Sequence, residues 1–478
     1  MNHDPAGNPT DRCVWNALPT ELCKAVGTAM SPEPAVRTTT AYDARNRRVS
    51  LKSPGTGETT YDPAHNYAVD KVYTPTKRNG SGEVTAEHLT DFGYDSRHRL
   101  ISIDESVCPV TAATHSCTST AVVTGSDDYT SDDNDNRTQV VESKDGGAAV
   151  TTTYCYDALN RLIAAKLTTA CTSSPTEAYT YDLAGNRTKT VISGTTTWFG
   201  HDTTGQLCKT GASSGTDCTM ANVTYDATGR TQTWNGWTFT YDGEGRLASS
   251  CKVAGCATND KVTMRYDGEG RRIELVVRPN GGSATTTTFR YQGETIVQEL
   301  TDTGGGASVT REYLTNEQGA IVKVCDPSCA SPTTTYLVTW NGHGDALALW
   351  RINSDGTLTI ANSYTYDTWG KPSTSVAAGF GDLKFRFLYV GAHDVQWDDL
   401  GVGLGLLYMD ARHYSSTIGR FLQPDPAAAE SNLYGYTGNN PVTRVDPSGT
   451  KWLDFAGSGG GGSAASGALA DTVEYSQV

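Results

Sequence analysis

Long apolar runs are missing from this sequence. The longest, around Val402 to Met409, is interrupted by Gly403 and Gly405 and falls far short of the ~20 residues a helix needs to cross a bilayer. No membrane span is expected. Positive charge is scarce as well: 38 Lys and Arg stand against 53 Asp and Glu, a formal net charge of -15 with no basic run. Such a chain repels a phosphate backbone, which argues against general nucleic-acid binding. With only 5 Met, good helix formers are outnumbered by the Thr, Ser, Tyr and Gly of strands and tight turns. Clustered CxxC pairs and His partners at zinc spacing are also lacking, so neither a metal nor a cofactor is expected.

What remains is an all-β composition. The chain has 24 Tyr and 50 Gly, and its 37% hydrophobic content is low for a solid core but suits a sheet with one dry and one wet face. Its twelve cysteines fall into six close neighbours: Cys13/Cys23, Cys108/Cys117, Cys155/Cys171, Cys208/Cys218, Cys251/Cys256 and Cys325/Cys329. The segments inside these pairs are rich in Thr, Ser, Gly and Asp, as loops are, so each pair is expected to staple the base of a hairpin loop. Metal binding and free thiols are the disfavoured alternatives. Disulfides imply an oxidising compartment, which places the protein outside the cytosol, secreted or at a cell surface. No signal peptide precedes them, and His3-Asp4-Pro5-Ala6-Gly7-Asn8 reads like a repeat turn whose leading strand is missing. The chain is expected to begin inside a longer protein.

Tyr-Asp recurs at Tyr42, Tyr61, Tyr94, Tyr156, Tyr181, Tyr225, Tyr241, Tyr266 and Tyr366, with His201-Asp202 and Tyr291-Gln292 standing in. From Tyr156 to Tyr291 the steps are 25, 20, 24, 16, 25 and 25 residues, a spacing suited to one β-hairpin per repeat. In Tyr181-Asp182-Leu183-Ala184-Gly185-Asn186-Arg187 and Tyr241-Asp242-Gly243-Glu244-Gly245-Arg246-Leu247 a strand ends at Tyr. The Asp carboxylate accepts backbone N–H groups of the turn, and Gly three residues later takes the left-handed conformation. Asn46 and Asn160 substitute for that Gly, and His65 and His98 do so less well. Arg follows the turn at Arg47, Arg99, Arg161, Arg187, Arg230, Arg246 and Arg271. There a returning strand brings its guanidinium near the Tyr ring or the Asp carboxylate, forming a ladder. A feature of nearly every hairpin is more economically a folding device than a catalytic one.

From about Tyr42 to Gly449 the sequence resembles the YD-repeat, or Rhs, family. The resemblance implies a long, spiralling antiparallel sheet that forms a hollow shell, or part of one, around a polypeptide from the C-terminal end of the same chain. Animal teneurins share the repeats. A second ordered series reads Phe385-Arg386-Phe387, Gly403 to Tyr414, Gly419-Arg420-Phe421-Leu422-Gln423-Pro424-Asp425-Pro426, Asn432-Leu433-Tyr434-Gly435-Tyr436, Asn439-Asn440-Pro441-Val442 and Val445-Asp446-Pro447-Ser448-Gly449. It is similar to the Rhs repeat-associated core, which in the family closes the shell and cuts the chain just beyond its second Asp-Pro-x-Gly element. The organisation expected is a repeat shell over residues 1–380, the core over 381–450 and a tail over 451–478.

The resemblance makes Asp425 and Asp446 the paired carboxylates of an aspartic-protease-like centre, with Arg420 holding a carboxylate or stabilising the oxyanion and cleavage between Thr450 and Lys451. One carboxylate must be ionised to activate water and the other protonated to polarise the carbonyl. Two departures stand out: Asp425-Pro426-Ala427-Ala428 lacks the family's Gly, and Thr450 takes a position where an apolar residue is common. His343-Gly344-Asp345 is expected to be structural. The sequons at Asn136 and Asn186 arise from the repeat turn, and Gly401 to Gly405 lacks the context of a nucleotide loop.

Only 28 residues follow Thr450, Gly- and Ser-rich from Gly457 to Gly467, a linker rather than a toxin domain. Two functions stay open. One is a toxin-delivery shell with intramolecular aspartyl protease activity, whose partners are its own C-terminal polypeptide and a secretion system or cell surface. The other is a cell-surface or extracellular binding or adhesion module without cargo or protease activity.

Overall fold

The structure is a computed structural model. It describes residues 71–454 apart from 79–83, 98, 110–121, 167–170, 172–174, 215–217, 253–259, 316–318, 330–331 and 399–401, and before residue 71 it gives the backbone of five strands. Among the described residues helix is confined to three short 3₁₀ turns, the first at Cys218–Met220. Sixteen strands, from Asn2–His3 to Leu207–Gly211, pair antiparallel in strict chain order, and fourteen more, from Thr224–Tyr225 to Pro372–Val376, do the same. Among the described residues neither sheet closes on itself.

The turns follow the stereochemical rule. Asp242 N–H donates to the Arg246 carbonyl at 2.9 Å, while its Oδ1 accepts from the N–H groups of Glu244 and Arg246 at 3.0 and 2.9 Å. Gly245 sits at φ +87°, where an L side chain is strained. Asn160, at φ 59°, substitutes as expected, whereas Asn46, His65 and His98 lie outside the described residues. Most of the hairpins carry a bulge at their Tyr, as between Thr240 and Tyr241, because the turn adds one residue to one strand; the hairpin at Tyr366 pairs without one. The sequence pattern overlooked further copies of this turn. In one, Trp340-Asn341 replaces Tyr-Asp, Gly344 takes φ +80°, and the Trp340 Nε1–H donates to the Ile321 carbonyl.

The Arg–Tyr ladder links neighbouring repeats. Arg246 Nε donates to its own Asp242 at 2.8 Å, and its guanidinium lies 4.6 Å over the ring of Tyr266 in the next repeat. Tyr266 O–H then donates back to the Leu247 carbonyl at 2.8 Å. Arg161/Tyr181, Arg230/Tyr241 and Arg271/Tyr291 stack likewise. Arg187 departs from this role. Asn186 occupies the turn-exit position and binds Asp182, so Arg187 falls one residue later and, by the two-residue period of a strand, on the other face. There it is buried against Trp369 at 4.5 Å.

Beyond Val376 the chain leaves the long sheets and forms a four-stranded sheet, Gln396–Trp397, Leu407–Met409, Arg412–Ser415 and Arg420–Phe421, and a two-stranded one, Arg444–Val445 and Leu453–Asp454. This segment lines both long sheets. Phe385, Phe387, Leu404 and Leu422 pack on the second sheet's Trp237, Phe239, Leu275 and Leu349, and Met409, Tyr414 and Tyr436 pack with Leu162 and Tyr179 of the first. Burying a side chain of this size contributes roughly 1.5–3 kcal/mol. Among the described residues two buried ion pairs cross the contact: Arg272–Asp398 at 2.5 Å and Arg386–Glu299 at 2.6 Å.

Of the expected disulfides, Cys155–Cys171, Cys208–Cys218 and Cys325–Cys329 are bonded as paired in the sequence. The other three pairs each include a residue outside those described, at Cys23, Cys117 and Cys256.

Candidate active site

Asp446 opens the turn Asp446-Pro447-Ser448-Gly449, which docks on the strand Arg412–Ser415. Gly449 is required there: at φ +64°, a Cβ would stand 2.4 Å from the Met409 carbonyl oxygen and 3.1 Å from Arg412 N. The Asp446 Oδ1 accepts the N–H groups of Thr450 and Lys451, both at 3.0 Å. Its Oδ2 accepts from Arg412 Nη2 at 3.2 Å, and Arg412 Nε donates to the Gly449 carbonyl. A carboxylate therefore sits on the nitrogen of the Thr450–Lys451 peptide bond, while a guanidinium holds the carbonyl one residue before it.

Asp425 is also buried. Its two oxygens accept from Ala427 N–H and Ala429 N–H, each at 2.9 Å. Ala428 occupies the position where the family has Gly, at φ 48°.

The third sequence-predicted residue, Arg420, has other partners. Arg420 Nη2 donates to the Gly205 carbonyl at 2.7 Å, and its guanidinium covers the Tyr434 ring at 4.8 Å, so its contacts are with a repeat turn. The guanidinium that binds Asp446 is Arg412, on which the charges of Asp446, Asp425 and Glu430 all act. Arg412 stands 34 residues before Asp446 in sequence and meets it only through the docked turn. The sequence signal was its place within the quoted Gly403 to Tyr414 segment, which did not set it apart from its neighbours.

Electrostatics separates Asp446 from the repeat aspartates. At Asp242 burial raises the carboxyl, but hydrogen bonds and charge from Arg246 outweigh it and the group ends below the ordinary range. At Asp446 burial wins over Arg412 and the two backbone N–H groups, and the carboxyl is pushed up. Glu430 is raised too, by burial and by the charge of Asp446. The arrangement thus holds an acid that stays protonated further toward neutral pH than an exposed carboxyl, beside a cation that also feels the charge of Asp425 and Glu430.

The core grips the turns of the first sheet. Asn439 Nδ2 donates to the Gly185 carbonyl at 2.8 Å, Asn440 Nδ2 to Asn136 Oδ1 at 2.9 Å and Asn432 Nδ2 to Asn186 Oδ1 at 2.9 Å. His343 and Asp345 form a buried pair at 2.9 Å whose carboxylate also accepts Val390 N–H, a clasp between repeat turn and core. Among the described residues no group of three or more His, Cys, Asp and Glu is arranged to hold a metal ion.

Comparison with known proteins agrees with this architecture. Among solved structures, the TcdB2-TccC3-Cdc42 crystal structure superposes with a TM-score of 0.62 at 19% identity, covering 94% of this chain and 23% of that one. A Photorhabdus luminescens Tc holotoxin pore gives 0.62 at 18% identity, covering 96% and 23%. Curated relatives include the tRNA3(Ser)-specific nuclease WapA of Bacillus spizizenii, 32% identical over 148 residues, and the tRNA(Glu)-specific nuclease WapA of Bacillus subtilis subsp. natto, 37% identical over 127 residues. These matches cover 30% and 25% of this chain but only 6% and 5% of the relatives. A family model described as the teneurin YD-shell matches residues 132–442, and with its tandem Tyr-Asp hairpins the chain belongs to that family of YD-repeat, Rhs-type shell proteins.

Proposed function

We propose that this chain is part of an extracellular toxin-delivery shell that encloses a polypeptide from its own C-terminal end and cuts it free between Thr450 and Lys451. One observation carries the reading: the Asp446 carboxylate accepts the Lys451 N–H at 3.0 Å, on the leaving atom of that bond. In the proposed step a water attacks the Thr450 carbonyl carbon and Asp425 takes its proton. Arg412 steadies the negative charge around the reacting carbonyl. As the nitrogen becomes tetrahedral, protonated Asp446 delivers its proton to it, the C–N bond breaks, and a Thr450 carboxylate and a Lys451 amine separate. Arg420, bound to Gly205, positions the strand that carries the site. By likeness to TccC3, whose structures include TcdB2, further toxin components are the proposed partners.

A second reading, a binding module without protease activity, draws on the turn itself. Asp446 caps Thr450 N–H four residues on, as Asp242 caps Arg246, so the same geometry serves folding alone. Intact-mass spectrometry of the purified chain at neutral pH decides between them. Loss of the 28 residues from Lys451 onward supports cleavage, and a persistent full-length mass supports the binding module.

A further inference from the structure

The turn at His201-Asp202 departs from the repeat in a way that opens space beside it. In other hairpins the Tyr hydroxyl donates to the carbonyl of the first residue in the preceding returning strand, Tyr181 to Leu162 and Tyr241 to Thr231, both at 2.7 Å. His201 takes that place at the end of the strand Thr195–His201, and the returning strand before it, Arg187–Ile192, opens with Arg187. An imidazole is shorter than a phenol. A cavity of about 10 Å³ is walled here by His201, Arg187, Arg420 and the core residues Asn432 and Asn439, and none of the described residues lining it is acidic.

Both arginines are 6% exposed, and their contacts are with neutral groups. Arg187 donates to the Thr417 carbonyl and lies over Trp369 and Phe199; Arg420 donates to the Gly205 carbonyl and covers Tyr434. Three carboxylates act on the cluster from outside the wall: Asp182 and Asp202 on His201, Asp202 also on Arg420, and Asp367 with Arg187. Each is held by N–H groups of its own turn. The wall's amides are engaged too, Asn432 with Asn186 and Asn439 with the Gly185 carbonyl. What is left over is one Nε–H on each arginine, buried with no acceptor, a desolvated donor that costs stability unless something accepts it. We propose that the cavity binds one small monovalent anion, a halide of the size of chloride, which accepts both Nε–H groups and ties the strand Arg187–Ile192 to the core strand Arg420–Phe421. A space this small admits a single water or ion, so oxyanions and organic acids are excluded.

A water can accept the same two N–H groups, but it leaves two like charges together in a poorly solvated place, where an anion offsets one of them. That repulsion is felt: burial lowers the Arg420 guanidinium and the charge of Arg187 lowers it further. His201 adds no third charge, since burial and the charge of Arg420 bring it down to about 3. The test is urea denaturation of the intact, oxidised chain in sodium chloride and in sodium gluconate, whose anion is too large for the cavity, at equal ionic strength. His201→Tyr restores the residue of the neighbouring repeats and fills the space, so this variant reads the general effect of each salt on folding. As chloride replaces gluconate, the folded-to-unfolded ratio of the wild type is expected to rise relative to the variant, in proportion to chloride once the site is filled. Independently of any variant, crystals grown in sodium bromide are expected to show an anomalous peak within hydrogen-bond distance of Arg187 and Arg420. Wild type and His201→Tyr responding alike to chloride, as they would with a water in the cavity, or a bromide peak at neither arginine overturns the proposal.

Discussion

Arg272 and Asp398 face each other at 2.5 Å with neither side chain reaching solvent, the first from a strand of the second long sheet and the second from the core segment packed against it. Arg272 also donates to Gln396 Oε1 at 2.7 Å and lies 4.2 Å over the Tyr408 ring. The contact fastens core to shell. Removing one partner leaves a buried charge uncompensated, so Arg272→Met is expected to destabilise the chain by about 3–5 kcal/mol, whereas Arg272→Met/Asp398→Leu recovers most of the loss. Urea denaturation measures both. Burial raises Asp398, but Arg272 and His413 outweigh it and bring the carboxyl down to about 2. A depressed folded value means that the pair's contribution is complete above the unfolded value of ~3.9 and fades as pH falls toward 2. A single variant no less stable than wild type at pH 7 would remove this account.

The two environments of the repeat arginines predict different costs. Arg246 is partly exposed, with its cation–π contact and ion pair each contributing up to about 1 kcal/mol. Arg246→Gln is therefore expected to lower stability by about 1 kcal/mol. Arg187 is buried against Trp369 and Phe199 and donates to the Thr417 carbonyl. Arg187→Gln is expected to cost at least twice as much, and equal losses in thermal unfolding would contradict the assignment of the two to opposite faces.

The hairpin array was legible in the sequence because one turn chemistry is repeated: Asp accepts the N–H groups and Gly takes positive φ, and both signals are local. Trp340-Asn341 escaped the pattern although it builds the same turn, since Trp Nε1 and Asn Oδ1 supply the same donor and acceptor under different letters. The face of Arg187 was missed for a similar reason, a single-residue offset that only strand pairing resolves. Of the candidate site, Asp425 and Asp446 were proposed from their motif, whereas Arg412 was not. Its partnership with Asp446 arises from packing a turn on a strand 34 residues away, for which no spacing rule exists.

Ala428 holds the left-handed conformation, φ 48°, that Gly occupies in most of the repeat turns. An L residue there costs roughly 1–2 kcal/mol. Ala428→Gly relieves that strain but frees the unfolded chain, so a net gain of about 0.5–1 kcal/mol is expected. Gly449→Ala goes the opposite way, because its Cβ meets the Met409 carbonyl oxygen at 2.4 Å. The order of denaturation midpoints, Ala428→Gly above wild type and Gly449→Ala below it, is the check.

The last prediction separates the two arginines near the candidate centre. If Asp446 delivers the proton to Lys451, cleavage slows as pH rises through the raised value of its carboxyl, because the protonated form disappears. Arg412 holds that value down against burial, so Arg412→Gln is expected to move the alkaline limb of the cleavage profile to higher pH. Its maximum rate should also fall by ten- to a thousandfold, the range for losing one electrostatic contact to the reacting group. Arg420→Gln breaks contacts with Gly205 and Tyr434 and is expected to slow cleavage without displacing the limb. Asp425→Asn and Asp446→Asn should each leave the chain intact. Fragments must end at Thr450 to count, since acid and heat break the Asp425–Pro426 and Asp446–Pro447 bonds without any enzyme. Equal displacement of the limb by both arginine variants, or none by Arg412→Gln, would show that Asp446 is not the group whose protonation sets the rate.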